Sequence, residues 1–206
     1  MSFTTLDDFL TRASDRLDPI SGAPRMAEVG DLDLVEDERT AAIRPAAVLI
    51  PVIPRSTGPT ALLTQRPDTM ASHPGQVAFP GGKVDRADVN EVAAALREAE
   101  EEVGVVPETV ELIARAAPYV TGSEFRITPV IGVLPPDFEA RPDPTEVADV
   151  FEAPLDFLFN TANHQIGEAF WKGKHRRYIE MPWQGFRIWG VTAGIIRDLY
   201  ANLYES

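Results

Sequence analysis

The chain has 206 residues, of which 44% are hydrophobic and 25% are charged, and it contains no cysteine. This composition is typical of a globular protein with one substantial core, and the absence of thiols excludes disulfide bonds, thiolate metal sites and a cysteine nucleophile. The net charge of −13 argues against a general nucleic-acid-binding protein, which neutralises many phosphates with Lys and Arg. A phosphate-containing substrate remains compatible with this charge, because a bound cation can reverse the local sign.

The N-terminal part of the chain predicts one helix and a connecting segment. Apolar residues at helical spacing after Thr5 predict an amphipathic helix over residues 5–17, and residues 18–44 are rich in Pro, Asp and Glu. We therefore divide the chain into this N-terminal part, residues 1–44, and a main domain, residues 45–206. The N-terminus lacks a basic region followed by an apolar core, and no stretch approaches the roughly 20 apolar residues that span a bilayer. We expect a cytoplasmic protein that does not bind membranes.

The main domain mixes strands and helices. Strands are predicted at residues 46–53, 60–64, 76–79, 110–115 and 127–134. The C-terminal part predicts a hairpin of residues 167–171 and 177–181 around Lys172-Gly173-Lys174, a strand at 186–189 and a helix over 192–204. Helices before, between and after the strands indicate an α/β fold with an α/β/α sandwich.

A helix with an unusual cluster of glutamates follows the third predicted strand. Its apolar stripe is formed by Val92, Ala95, Leu96, Ala99 and Val103. Asp88 and Glu91 have the spacing of a capping box at its start, and Gly104 is placed to end it in a left-handed conformation.

Glu98, Glu101 and Glu102 stand at positions i, i+3 and i+4, so we expect them to converge on one face of this helix. Like charges at this spacing repel, and acidic groups near a helix C-terminus oppose its dipole. One interpretation is a solvated acidic face, and the other is a site for Mg²⁺ or Mn²⁺, which take oxygen ligands. The preceding segment, residues 79–83, favours the metal site, because a Gly81-Gly82 turn lets the backbone approach a phosphate or a metal closely.

These segments resemble the Nudix box of the Nudix hydrolases, in which a glycine is followed by Arg-Glu-apolar-any-Glu-Glu-any-Gly-apolar. Residues 97–105 match that string without a mismatch. The upstream half departs from the pattern, since 14 residues separate Gly82 from Arg97 where thirteen are usual, and Asp88 stands where a glutamate is expected.

A second resemblance is to the coenzyme A pyrophosphatase branch of this family. It comprises Leu62-Leu63-Thr64-Gln65-Arg66, Gly75 and Phe79-Pro80-Gly81-Gly82, and the segment at 72–76 is similar to bacterial members. Pro67 replaces a small residue of that signature, and Ala71 replaces a second arginine.

The family resemblance implies a Nudix-type α/β/α sandwich with a mixed β-sheet and hydrolysis of a nucleoside diphosphate linkage. It implies Mg²⁺ or Mn²⁺ held by Glu98, Glu101, Glu102 and the carbonyl of Gly82, and a small-molecule nucleotide substrate. For coenzyme A the products would be 3′,5′-ADP and 4′-phosphopantetheine. A homodimer through the N-terminal segment is expected by family analogy.

The same resemblance suggests roles at the reaction centre. Glu101 and Arg97 are assigned to catalysis, Arg97 by orienting the glutamates, and Glu146 is a candidate general base that could equally be an ordinary loop glutamate. Arg66, Gly81 and Gly82 are assigned to substrate binding, where Arg66 would hold a phosphate in two hydrogen bonds or form a surface salt bridge. Two other functions stay open, namely hydrolysis of ADP-ribose or another nucleoside diphosphate derivative, and a Nudix-like binding module without turnover.

Overall fold

The computed structural model describes residues 4–31, 43–70, 73–171 and 174–205. In chain order its helices and strands are α1 (Leu6–Arg16), β1 (Val29–Gly30), β2 (Arg44–Arg55), β3 (Gly58–Gln65), β4 (Val77–Ala78), β5 (Gly81–Lys83), α2 (Glu91–Val103), β6 (Glu111–Arg115), β7 (Tyr119–Val120), β8 (Phe125–Val133), β9 (Asp149–Pro154), α3 (Leu155–Leu158), β10 (Gln165–Trp171), β11 (Lys174–Trp183), β12 (Phe186–Trp189) and α4 (Val191–Tyr200). Ala71, Ser72, Lys172, Gly173 and part of the connecting segment lie outside the described residues.

A large mixed sheet forms the centre of the fold. Its strand order is β1-β7-β8-β2-β3-β4, with β5 paired to β2, β6 to β8 and β9 to β3. The long strands β2 and β8 run parallel, whereas β3 is antiparallel to both β2 and β9. Strands β10, β11 and β12 form a second, antiparallel sheet.

Helices cover both faces of the large sheet. Leu49 and Ile50 are neighbours on β2 and both are buried, because successive side chains of a strand point to opposite faces. Leu49 belongs to the core cluster that contains the apolar stripe of α2, and Ile50 belongs to the cluster that contains Phe9 of α1 and Leu199 of α4. The predicted α/β/α sandwich is therefore confirmed.

Most of the predicted elements are present. The N-terminal helix, the five strands of the main domain, the hairpin and the last strand agree with the structure to within a few residues. The final helix ends at Tyr200 and continues as a π-helical turn, Ala201–Glu205. The predictions missed the short strands β1, β5 and β7, the strand β9 and the helix α3. The division of the chain at residue 44 stays a prediction. Among the described residues, no helix has the length and apolar character needed to cross a membrane.

Candidate functional site

The glutamates of the candidate site lie on α2, which has well-defined ends. Asn90 is the N-cap, and its side-chain oxygen accepts a hydrogen bond of 2.9 Å from the backbone N–H of Ala93. Gly104 ends the helix in the left-handed conformation with φ of 71°, as predicted. The predicted capping box at Asp88 is wrong, because the chain enters the helix two residues later and Asp88 has different partners.

Asp88 is a partner of Arg97. Its carboxylate accepts two hydrogen bonds of 3.1 Å from the Arg97 guanidinium and one of 2.7 Å from the backbone N–H of Asp85. The hydrogen bonds from Arg97 are the main reason that the pKa of Asp88 is lowered. Asp88 therefore joins the loop before α2 to the middle of the helix. The spacing of residues along the helix does not predict this pairing. Asp88 nevertheless stands at the position where the Nudix box has a glutamate.

Arg97 also contacts two of the predicted metal ligands. Its guanidinium lies 3.0 Å from Oε1 of Glu98, donates a hydrogen bond of 2.9 Å to Oε2 of Glu101 and donates another of 3.1 Å to the carbonyl of Lys83. Arg97 thus links Glu98 and Glu101 to the end of β5. This geometry suits the positioning role that we propose for it.

Glu102 points inward from α2 toward β5. Only 4% of the residue is exposed, and its Oε2 accepts a long hydrogen bond of 3.4 Å from the backbone N–H of Gly81. Burial and the negative charge of Glu98 raise the pKa of Glu102 to about 8. Burial likewise raises the pKa of Glu98, although the neighbouring Arg97 acts in the opposite direction. The positive charges of Arg97 on Glu98 and of Arg66 on Glu102 oppose these increases without cancelling them.

The two glycines form strand β5, not the turn that the sequence suggested, and both are required by close packing. A Cβ on Gly82 would lie 2.5 Å from the carboxylate of Glu98. A Cβ on Gly81 would collide with the backbone of β2 at Ala47 and Val48. Gly81 therefore lets β5 pair with β2, and Gly82 leaves room for Glu98 beside the backbone.

Arg66 and Glu146 approach the same carboxylates from outside the helix. Arg66 follows β3, and its backbone N–H donates a hydrogen bond of 2.9 Å to the carbonyl of Gln76. Its positive charge acts on Glu102, and its Nε is buried with no hydrogen-bond partner among the described residues. Glu146 is exposed, and its negative charge acts on both Glu98 and Glu102. The fold thus brings Arg66 and Glu146 to the glutamates of α2.

The three glutamates do not converge on one point as expected. Among the described residues, no three Asp, Glu or His side chains are grouped closely enough to hold a metal ion as they stand. The reason is that Glu101 is 55% exposed and turned toward Arg97, whereas Glu102 is turned inward.

The donor groups nevertheless suit a divalent cation. Three of the proposed donors are carboxylates and the fourth is the carbonyl oxygen of Gly82, and oxygen ligands are those that Mg²⁺ and Mn²⁺ prefer. A cation between Glu98 and Glu102 would relieve their mutual repulsion. The Glu98 carboxylate lies against the backbone of Gly82, so these two proposed donors are neighbours. We retain Glu98, Glu101, Glu102 and Gly82 as proposed metal ligands.

Comparisons with known proteins assign the family. A model of the NUDIX domain matches residues 43–171. A Cronobacter sakazakii protein named "Uncharacterized Nudix hydrolase NudL" is 44% identical over 163 residues, which cover 79% of this chain and 84% of the relative. The protein of that name from Citrobacter koseri is 40% identical over 198 residues, covering 96% of this chain and 94% of the relative. A Caenorhabditis elegans Ap4A hydrolase structure aligns at 19% identity with a TM-score of 0.46, covering 55% of this chain and 82% of that one. On the domain match and the two NudL relatives, the chain belongs to the Nudix hydrolase family.

Proposed function

We propose that this Nudix hydrolase cleaves the pyrophosphate linkage of coenzyme A or a derivative, with Mg²⁺ or Mn²⁺, to give 3′,5′-ADP and 4′-phosphopantetheine. The observation that carries the proposal is the position of Arg66. It belongs to the coenzyme A signature in the sequence, and its positive charge acts on Glu102, so its guanidinium would be placed to donate to a substrate phosphate beside the carboxylates.

The separated parts of the signature also contact one another. Gln65 pairs with Val77 across β3 and β4, and its side-chain amide donates a hydrogen bond of 3.3 Å to the carbonyl of Gly75. Strand β5 then begins at Gly81, whose N–H faces Glu102. Gln65 is therefore joined to Gly75, and Gly81 to Glu102, which supports a common role of these signature residues in binding substrate.

The metal would be held by Glu98, Glu101, Glu102 and the Gly82 carbonyl, where it would neutralise phosphate charge and lower the pKa of a water molecule. Arg97 holds Glu98 and Glu101 in place, and Asp88 holds Arg97. Arg66 would hold a phosphate oxygen at the edge of the carboxylate cluster. Glu146, which is exposed and close to Glu98 and Glu102, would accept the proton of the attacking water.

Hydrolysis of coenzyme A and of ADP-ribose by the parent protein, side by side, tests the substrate. We expect coenzyme A to be cleaved with the higher kcat/KM. If ADP-ribose were cleaved far faster, the choice of coenzyme A would be wrong, although the catalytic role of α2 would stand.

An arginine variant tests the site. Charge-assisted hydrogen bonds contribute about 1.5–3 kcal/mol, so Arg66→Ala should lower kcat/KM for coenzyme A roughly 10- to 100-fold. Arg86→Ala is the matched control, because Arg86 is an exposed arginine of the loop before α2. Equal kinetics for Arg66→Ala and the control would contradict phosphate binding by Arg66.

A further inference from the structure

The loop that carries Glu146 is fixed at one end to the helix of the proposed metal ligands. The backbone N–H of Asp143 donates a hydrogen bond of 2.9 Å to the carbonyl of Glu102, and the N–H of Arg141 donates one of 2.9 Å to the carbonyl of Val103. The last carbonyls of a helix have no partner within it, so these two hydrogen bonds cap the C-terminal end of α2. Residues 141–143 are therefore held to the turn of α2 that carries Glu102.

The other end of this loop is fixed beside Arg66. The N–H of Ala148 donates a hydrogen bond of 2.8 Å to the carbonyl of Gln65, the residue before Arg66. Val147 is 3% exposed and belongs to the core cluster that contains the apolar stripe of α2. Glu146 therefore lies in a short segment whose two ends are attached to α2 and to the end of β3.

Asp143 closes the turn between these two attachments. Its Oδ1 accepts hydrogen bonds of 2.8 Å from both the backbone N–H and the hydroxyl of Thr145. Its carbonyl accepts hydrogen bonds of 3.1 Å from the N–H of Glu146 and of 2.8 Å from the N–H of Val147. An aspartate side chain that bonds the backbone two residues further on fixes a turn in this way. One residue thus joins the backbone of Glu102 to that of Glu146.

We propose that Asp143 is a positioning residue, which holds Glu146 toward the proposed metal site through the turn that the Asp143 side chain closes. The inference rests on the proposed function, in which Glu146 accepts the proton of the attacking water. Glu146 is exposed, so packing does not fix its side chain and its place depends on the backbone of the loop. A general base must lie within hydrogen-bond reach of the proton that it removes, and a displacement of about 1 Å can cost about 100-fold in rate.

Two substitutions of Asp143 separate the turn from the charge. Asparagine keeps the side-chain oxygen that accepts from Thr145, whereas alanine removes it. We expect Asp143→Ala to lower kcat for coenzyme A about 10-fold with KM within about twofold, because Arg66 is untouched, and Asp143→Asn to keep kcat within about twofold. Glu139→Ala is the matched control and should match the parent, because Glu139 is an exposed acidic residue of the same loop. A parent-like kcat for Asp143→Ala, or an equal loss in Asp143→Asn, would overturn the proposal.

A double-mutant cycle with Glu146→Gln tests whether Asp143 acts through Glu146. Removal of the base should lower kcat about 100-fold or more. Asp143→Ala should then cause no further loss, because no base is left to position. The same loss from Asp143→Ala in both backgrounds would show that Asp143 acts on another group and would overturn the proposal. If Glu146→Gln kept the kcat of the parent, Glu146 would not be the base and the positioning role would fall with it.

Amide hydrogen exchange, followed by NMR, reports on the turn without turnover. The amides of Thr145, Glu146 and Val147 should exchange faster in Asp143→Ala than in the parent or in Asp143→Asn, because local opening of the turn exposes them. Unchanged exchange in Asp143→Ala would overturn the proposal. If ADP-ribose were cleaved and coenzyme A were not, the proposed substrate alone would be wrong, and the kinetic comparison of the variants would be made with ADP-ribose. A parent protein that cleaved neither substrate would overturn both the proposed function and the role of Asp143.

Discussion

The carboxylate of Asp88 and the guanidinium of Arg97 are joined by two hydrogen bonds of 3.1 Å, from Nε to Oδ1 and from Nη2 to Oδ2. The Asp88 side chain is only 5% exposed, so this pair is shielded from water on the carboxylate side. Arg97 in turn contacts Glu98 and Glu101. Asp88 therefore acts on the candidate metal ligands through Arg97.

Asp88→Asn should weaken metal binding and turnover together. An amide offers one oxygen instead of two, and its NH₂ group would face the donors of Arg97. Loss of a partner that orients metal ligands typically costs about 10- to 100-fold in metal affinity or activity. We expect that reduction in kcat/KM and a matching increase in the Mg²⁺ concentration at half-maximal rate.

Asp85→Asn is the control for this prediction. Asp85 lies in the same loop, but its carboxylate is exposed and 4.0 Å from Arg97. Its replacement should leave kinetics within about twofold, since exposed ion pairs contribute little. Equal losses in both variants would show that the loop charge as a whole matters and that the Asp88 contact does not.

Replacing each glycine of β5 by alanine should affect a different property, metal affinity for Gly82 and thermal stability for Gly81. Gly82→Ala places a methyl group against the Glu98 carboxylate, the mobile end of a side chain, so the protein should fold while metal affinity and activity fall at least tenfold. Gly81→Ala meets the backbone of β2 and should lower the melting temperature strongly. Thermal melting and Mg²⁺ titration of both variants check this. If the Gly82→Ala protein bound Mg²⁺ as tightly as the parent, Gly82 would have no role in the metal site.

Glu102 should make the stability of the metal-free protein depend on pH. Its pKa rises from the ordinary value of 4.5 to about 8 on folding, so ionisation disfavours the folded state. The destabilisation is absent below about pH 4.5, increases as the pH rises toward 8 and is fully present above about pH 8.

Glu102→Gln removes this ionisation and should stabilise the metal-free protein by about 2–5 kcal/mol above pH 8, with a smaller gain near pH 6. Urea unfolding at several pH values measures the difference. Glu100→Gln, an exposed change on the same helix, should show no such pH-dependent gain. If Glu102→Gln stabilised the protein equally at every pH, the stabilisation could not come from removing the ionisation of Glu102.

Added Mg²⁺ should stabilise the parent protein and fail to stabilise Glu102→Gln. A cation bound by the folded state alone raises the free energy of unfolding, and it must displace the proton of Glu102 to bind. The melting temperature with and without Mg²⁺ at about pH 8 tests this. An equal Mg²⁺-dependent increase in both proteins would exclude Glu102 from the metal site.

Elements with a strong local pattern could be predicted from the sequence. The amphipathic helix α1, the long strands β2 and β8, the β10–β11 hairpin and α2 with its Gly104 end all have periodic apolar residues or distinct end signals. The layered fold followed from their order. The composition of the candidate site, with its glutamates, glycines and Arg66, also came from motifs in the chain.

Tertiary contacts decided the features that the sequence did not predict. Asp88 and Asn90 are both suitable N-caps, and Asn90 takes that role because Arg97 engages Asp88. Strands β1 and β7 have two residues each, too few for a periodic signal. Their pairing depends on tertiary contacts of the N-terminal segment, which include hydrogen bonds from Arg115 to the carbonyls of Pro19 and Gly22. The direction of Glu101 toward Arg97 likewise depends on a contact that helical spacing alone does not define.

Release of 3′,5′-ADP from coenzyme A, followed by chromatography with Mg²⁺, with Mn²⁺ and without metal, tests the central claim most directly. The account predicts stoichiometric 3′,5′-ADP and 4′-phosphopantetheine that form only when a divalent cation is present. Coenzyme A that stays intact with both metals, under conditions in which the protein is folded, would contradict it.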